Sequence, residues 1–297
     1  MSAAADLKSL EFIRNECEES FRRKGYVLID LLSPEEVTEL RKVYTQIQVD
    51  VTRDDKTHFA TGEHLEADKA LVTSKAIDET ILPALNQHLV NYESLMSAFI
   101  VKPAFQKAEE YFEWHQDLSF VDEEYYESAQ LWVALQDTWV ENGNIQIVEG
   151  THSYQDNIRT SPSYPSFFDE YKEQMVKQCK QITMRAGQAL IFNHKLLHGS
   201  TPNQSSAERI AVISTLKPKG AAWSYFEYLE AEQKVFKYLA DLDFYLKKWS
   251  GQAAEPDKLI DSFVYHFPKM SAEQFHQWKA QYCQYVTVFD RIRKLFK

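Results

Sequence analysis

His115 and Asp117 lie one residue apart in Trp114-His115-Gln116-Asp117-Leu118. On an extended strand that spacing puts both side chains on one face. The aromatic residues between Tyr111 and Phe120 favour a strand there. One imidazole and one carboxylate on a shared face are two members of a 2-His-1-carboxylate triad. That ligand set holds Fe(II) and leaves positions open for substrates and oxygen. The third ligand must be a histidine delivered by the fold. The downstream candidates are His152, after the turn-like Glu149-Gly150-Thr151, and His194 and His198, after the apolar run Ala189-Leu190-Ile191-Phe192. His198 is preferred, because Gly199-Ser200 permits a tight backbone beside a cofactor. Arg209 stands eleven positions after His198 and opens the strand-like Arg209-Ile210-Ala211-Val212-Ile213. Its planar fork suits a carboxylate held by two parallel hydrogen bonds.

These residues give the chain a resemblance to the phytanoyl-CoA dioxygenase family of Fe(II)/2-oxoglutarate-dependent oxygenases. The matching positions are His115-Gln116-Asp117, Glu141-Asn142-Gly143, Glu149-Gly150-Thr151-His152, His198-Gly199-Ser200 and Arg209. The opening Gly25-Tyr26-Val27-Leu28-Ile29-Asp30 with Ser33-Pro34-Glu35-Glu36 is similar too, so the resemblance covers about residues 20–218. His-x-Asp alone is a weak signal, whereas the ordered set is specific. Relatives usually carry Pro where Glu149 stands, which concerns a turn and leaves the chemistry in place.

The resemblance implies a double-stranded β-helix, the jelly-roll type also seen in cupins. It implies His115, Asp117 and His198 as ligands of Fe(II), with 2-oxoglutarate and O2 as cosubstrates. Arg209 and Ser200 would hold the far carboxylate of 2-oxoglutarate, and Lys102 and Trp132 fall where such enzymes often touch it. The implied reaction is hydroxylation of a small molecule with release of succinate and CO2. Halogenating members of the wider family carry a small residue in place of the carboxylate ligand, so Asp117 points to oxygenation. Family substrates range over acyl thioesters, amino acids, osmolytes and natural-product intermediates, and no residue in the sequence chooses among them. Two other readings use the same residues: a non-catalytic jelly roll that binds or senses a ligand, and a cupin-type metal-dependent hydrolase or isomerase.

The elements that must position these residues read as a mostly β core with helices. Residues 6–24 read as a helix with the stripe Leu10, Ile13, Cys17 and Phe21, ended by Gly25. A strand follows, and then a helix opened by Ser33 as cap, Pro34 at its first position and Glu36 closing a capping box. Residues 52–73, with His58 and His64, read as a polar loop in which neither His has a role. A helix is expected from Ile77 to Asn91, and strands at 94–101, 129–138, 144–148, 181–184, 188–193 and 209–216. Residues 153–180 read as an insertion, helical near Phe168 to Lys180, placed to act as a lid. The acidic run from Val121 to Ser128 is by default a solvated loop. Its sharper reading is a wall of the substrate mouth that repels coenzyme A phosphates. In the tail, Val235, Leu239, Leu242, Leu246 and Trp249 predict one amphipathic helix. Phe275, Trp278, Tyr282, Tyr285, Phe289, Ile292 and Phe296 predict another. Residues 1–297 are therefore expected to form one domain: a core over 20–218 and a helical C-terminal extension over 221–297 that covers the core or makes a homodimer.

With 297 residues, 44% hydrophobic, the chain can bury a sizeable core. A formal net charge of -11 disfavours nucleic acid and anionic membranes as partners. Cys17, Cys179 and Cys283 have no metal-ligand or redox spacing. Free thiols, the absence of a leader-like start and the absence of a long apolar run together predict a cytoplasmic location.

Overall fold

The computed structural model describes residues 8–47, 58–154 and 157–281. The chain starts with strand β1 (Glu11–Phe12) and helix α1 (Asn15–Lys24), followed by strand β2 (Tyr26–Asp30). Helix α1 is shorter than the 6–24 expectation, because residues 11 and 12 pair with a strand at Leu89–Val90. Leu10, Cys17 and Phe21 are buried as their spacing predicts, but Ile13 is exposed. Gly25 ends the helix at φ 87°, where its N–H reaches Phe21 O at 2.9 Å. A Cβ at Gly25 would lie 2.6 Å from both His152 Nδ1 and Leu196 Cδ1. Left-handed backbone and overpacking therefore act together, and Gly25→Ala should destabilise the fold by about 1–3 kcal/mol in chemical denaturation.

Helix α2 (Pro34–Gln46) carries the expected capping box, with both Ser33 and Glu36 side chains bonded to backbone N–H groups. Strand β3 (Phe59–Ala60), helix α3 (Thr61–His64) and helix α4 (Ala67–Leu85) follow. They correct the loop expected over 52–73, of which residues 52–57 lie outside the described part. The buried side of α4 starts with Ala70, Thr73 and Ser74 before Ile77 and Ile81. Small and polar residues hid its first turns from an apolar-period reading. The helix ends at Leu85, not Asn91, and β4 (Leu89–Val90) follows.

The strands that carry the site come next: β5 (Tyr92–Lys102), β6 (Phe112–His115), β7 (Ala129–Ala134) and β8 (Ile145–Ile147). After the short helix α5 (Lys172–Val176) come β9 (Lys180–Ile182), β10 (Gln188–Asn193), β11 (His198–Ser200) and β12 (Arg209–Pro218). The expected helix over 168–180 is thus only one short turn-and-a-half. One sheet has the order β2-β10-β7-β12-β5-β3 and faces a second with the order β6-β11-β8-β9. All pairings within them are antiparallel. This is a jelly-roll architecture of two opposed sheets that do not close into a barrel.

The strands β7, β10 and β12 are apolar on both faces because both are covered. Leu131, Val133, Ile191 and Val212 pack outward with Phe21, Leu40, Ile77 and Ile81 of the N-terminal helices. Trp132, Ala134, Leu190 and Ala211 point inward toward Ile145, Ile147 and Ile182 of the smaller sheet. Helices on one face therefore fix the large sheet, and the space between the sheets is left for a site.

The C-terminal segment differs from the expected helices. It contains β13 (Ser224–Leu229), β14 (Lys234–Leu239), helix α6 (Leu242–Trp249) and β15 (Leu259–Val264). The helix expected from Val235 to Trp249 is corrected to a strand and a shorter helix, and β13-β14-β15 form a three-stranded sheet. A further helix covers 272–281 of the described residues. Its Phe275 and Trp278 are buried against Phe168 and Met175 of the same chain. The rest of that aromatic stripe lies outside the described residues. No helix among the described residues is long and apolar enough to cross a membrane.

Candidate metal and carboxylate site

His115 and His198 are direct cross-strand partners on β6 and β11. Antiparallel pairing is what brings these sequence-distant residues together. Asp117 sits beside them, with Oδ1 3.7 Å from His115 Nε2 and 3.9 Å from His198 Nε2. One ligand atom from each of the three residues lies within 4.8 Å of the others, a spacing suited to a single ion. Both imidazoles are oriented for that role. Nδ1–H of His115 donates to Glu113 O at 2.7 Å, and Nδ1–H of His198 donates to Leu196 O at 2.9 Å. A carbonyl can only accept, so each Nε2 is left with its lone pair facing Asp117. Burial, then the neighbouring His115, pulls the His198 imidazole down to about 4, so it is neutral at pH 7. Burial pushes the Asp117 carboxyl upward, but the His198 and His115 imidazoles outweigh it and hold the group below its ordinary value. Asp117 Oδ2 is buried and makes no hydrogen bond among the described residues. An anionic oxygen without a donor, beside two imidazole Nε2 atoms, fits a divalent cation.

Asp117 does not share a strand face with His115 as expected. β6 ends at His115, and Asp117 follows in irregular backbone. Its amide donates to His194 O at 3.0 Å, and the Gln116 side chain reaches Lys195 O at 2.6 Å. The carboxylate is aimed by these contacts, not by strand alternation.

Across the space between the sheets, Lys102 and Arg209 are partners on β5 and β12. They are 1% and 2% exposed, and neither has a carboxylate partner among the described residues. Lys102 Nζ donates to Thr201 O at 2.5 Å, and the Arg209 guanidinium lies 5.0 Å from the Trp132 ring centre. Arg209 Nε and Nη1 are buried and make no hydrogen bond among the described residues. Two buried basic side chains with spare donors are a cradle for an anion, because burying such donors unpaired costs free energy. Burial, then the Arg209 charge, pulls Lys102 down to about 6. Burial lowers Arg209 to about 9, which leaves it cationic at pH 7.

A cavity of about 250 Å³ joins the two groups. Lys102, Arg209, Ser200 and Trp132 line it together with His115, Asp117 and His198. All seven residues proposed from the sequence therefore meet in one space. Gly199 also lines it, but its clearest need is packing: a Cβ there would lie 3.0 Å from Phe112 O of β6. The rejected histidines have other partners. His194 Nδ1 contacts Ser128 Oγ at 2.8 Å, and His152 Nε2 contacts Arg22 O at 3.0 Å.

Sequence reasoning missed His58, Met96, Phe120, Gln130, Thr215 and Trp249, which line the remainder of the cavity. Alternation along β5 from Lys102 would have found Met96. No local signal leads to Trp249 or His58. The acidic run is corrected: Asp122, Glu123 and Glu124 are not among the cavity residues. Glu123 pairs with Arg159 and Asp122 with Lys237. The electrostatic argument against coenzyme A thioesters accordingly has no support from this loop.

The family profile of phytanoyl-CoA dioxygenase matches residues 21–211, which contain all of the positions named for the metal and anion groups. The chain belongs to the phytanoyl-CoA dioxygenase family. It is thereby placed among oxygenase-type enzymes that depend on iron and 2-oxoglutarate. Solved structures share the fold. One is SnoK, a non-heme alpha ketoglutarate dependent carbocyclase from nogalamycin biosynthesis, with 18% identity and a TM-score of 0.53 over 71% of this chain and 86% of that chain. Another is the epimerase SnoN with Fe3+, alpha ketoglutarate and nogalamycin RO, with 15% identity and a TM-score of 0.53 over 88% of this chain and 96% of that chain. A third is HygX from Streptomyces hygroscopicus with nickel, 2-oxoglutarate and hygromycin B, with 15% identity and a TM-score of 0.50 over 70% and 88% of the two chains. The search of curated proteins found no match.

Proposed function

We propose that this phytanoyl-CoA dioxygenase family member hydroxylates a small molecule, using Fe(II), 2-oxoglutarate and O2. The observation that carries this reading is the pairing of two unmet needs across one cavity. On one side are three ligand atoms within 4.8 Å. On the other is a buried Arg209 with two donors unpaired among the described residues. His115, Asp117 and His198 would hold the metal, while Arg209, Ser200, Lys102 and Trp132 would hold 2-oxoglutarate. When bound, iron and 2-oxoglutarate together supply oxygen activation, with succinate and CO2 as by-products. The chain's own residues do the rest. Arg209 and Lys102 fix the far carboxylate, the two histidines and Asp117 fix the ion, and the apolar walls exclude water. A cupin-type hydrolase would leave buried Arg209 without a purpose, and a passive binder would have no use for an aimed triad.

The substrate is proposed to enter the part of the cavity lined by Met96, Phe120, Gln130, Thr215 and Trp249. That lining suits an apolar body with a hydroxyl or carbonyl group facing Gln130 and Thr215. The deciding experiment is anaerobic titration with Fe(II) and 2-oxoglutarate. A weak visible charge-transfer band and a joint rise in melting temperature are expected, and neither appearing would sink the reading. Product mass then decides the outcome, since hydroxylation adds one oxygen whereas epimerisation leaves the mass unchanged.

Lys102 makes 2-oxoglutarate binding dependent on pH. Its ammonium is held near 6 in the free site by burial and by Arg209. An entering dianion raises that value, so binding takes up a proton. Affinity should therefore be greatest near pH 6 and fall as pH rises toward 8, by up to about tenfold per unit. Lys102→Met should flatten the profile, and a wild-type affinity that does not fall over this range would refute the assignment of Lys102.

A further inference from the structure

Asp117 is the one member of the triad that no strand holds, yet it is gripped firmly. Besides its amide bond to His194 O, its own carbonyl accepts Nε–H of Arg159 at 2.5 Å. The carbonyl of neighbouring Gln116 accepts from Tyr164 Oη. The Arg159 side chain has 0% exposure. Its outer edge donates to Glu123 at 2.8 Å through Nη1 and at 2.5 Å through Nη2. Ser119 closes the ring. Its hydroxyl accepts from Arg159 N at 3.1 Å and donates to Glu123 at 3.1 Å, while its amide donates to Arg159 O at 3.0 Å. A buried ion pair is a poor source of stability, since desolvation offsets much of the attraction. What this pair does supply is a rigid cationic fork ending on the backbone of Asp117.

Arg159 is itself held from outside the family-matched segment. Ile158 N–H donates to Tyr265 Oη at 2.7 Å. Ser161 N–H donates to Phe226 O at 2.8 Å, and Tyr228 N–H donates to Ser161 O at 3.1 Å. On the ligand side, Ser224 N–H donates to Phe120 O at 2.8 Å, and Lys237 pairs with Asp122 at 2.6 Å. Four of these partners are on β13 or β14, and Tyr265 directly follows β15. All of them lie beyond residue 211, where the family match ends.

We infer that Arg159 is a positioning residue for Asp117, and that the β13-β14-β15 sheet is the scaffold that keeps Arg159 in place. The inference rests on the reading of Asp117 as a metal ligand. Partners one step removed from a metal typically carry 10–100-fold in metal affinity. The full chain is titrated with Mn(II), and its electron paramagnetic resonance spectrum and melting temperature are recorded for each variant. Arg159→Met and Arg159→Lys should each weaken Mn(II) binding by about 10–100-fold and broaden the bound-ion signal. Tyr265→Phe removes an acceptor of the scaffold, not a member of the triad, and should give a smaller loss of the same sign.

Arg159→Met strands the Glu123 charge, so the double variant Arg159→Met/Glu123→Gln is the control for folding. It should recover melting temperature but not Mn(II) affinity. Recovery of both, or wild-type Mn(II) affinity in a folded Arg159→Met or Tyr265→Phe, overturns the inference. A wild type that binds no Mn(II) overturns the metal reading and this inference with it. A wild type that binds beside equally competent variants overturns this inference alone.

Discussion

Replacing Asp117 with alanine is expected to abolish turnover and to weaken metal binding by about 100-fold or more. The size follows from the ligand count. Four-ligand structural metal sites are worth about 10–16 kcal/mol, or roughly 2.5–4 kcal/mol per ligand. Losing one is therefore a factor of about 100–1000. Asp117 should sit at the upper end, because a histidine ligates a metal as neutral imidazole and Asp117 alone of the three brings a negative charge. Asp117→Asn keeps the shape and removes the charge, which separates coordination from packing. The fold should tolerate both changes, since Asp117 Oδ2 makes no hydrogen bond that would be lost. Anaerobic calorimetry with Mn(II) measures the affinity, and product mass measures turnover in the presence of chloride. Asp117 occupies the position that a halide would need, so the wild type should give no chlorinated product. A chlorinated wild-type product, or full turnover by Asp117→Ala, would remove Asp117 from the ligand set.

Loss of Arg209 should be nearly as severe, but for a different partner. Truncating one member of a buried charged pair costs about 2–5 kcal/mol, so Arg209→Met should weaken 2-oxoglutarate about 30-fold or more. Arg209→Lys keeps a charge but loses the two-pronged geometry, and about tenfold is expected. The stability of the unliganded protein should move the other way. Among the described residues Arg209 is buried without a carboxylate partner, and its Nε and Nη1 are unsatisfied. Methionine would remove that desolvation cost, so the melting temperature without ligand should rise while the shift caused by 2-oxoglutarate shrinks. A residue of purely structural importance would lower both. Unchanged 2-oxoglutarate affinity in Arg209→Met would move the carboxylate anchor to Lys102.

Much of this site could be read from the order of His115, Asp117, His198 and Arg209, and the family resemblance added Ser200, Lys102 and Trp132. Each of the seven positions chosen, from Lys102 to Arg209, lines the same cavity. The histidines were legible because strand pairing preserves the order of strands that carry them. The route to Asp117 was misread, since its placement depends on side chains such as Arg159 that no periodicity connects to it. The same divide runs through the fold. Ser33 and Glu36 announce a helix start through local chemistry, and the helix is there. Val235, Leu239 and Leu242 mimic a helical period, but Lys234–Leu239 is the middle strand of a sheet. The hairpin before it turns through Glu230 to Gln233 without Gly, Pro or Asn, with Gln233 at φ 53°, so the usual turn signal is missing. The start of α4 was hidden for a related reason, because Thr73 and Ser74 are buried where apolar residues are looked for.

Trp249 enters the cavity wall from α6, while the triad is carried by β6, β11 and the backbone between β6 and β7. One part of the cavity wall thus comes from a different stretch of chain than the triad. A substitution at Trp249 changes the cavity wall without touching His115, Asp117 or His198, which makes that position the natural one to vary when retuning selectivity. Two chains identical over residues 21–211 but different at position 249 would present different cavity walls around the same triad.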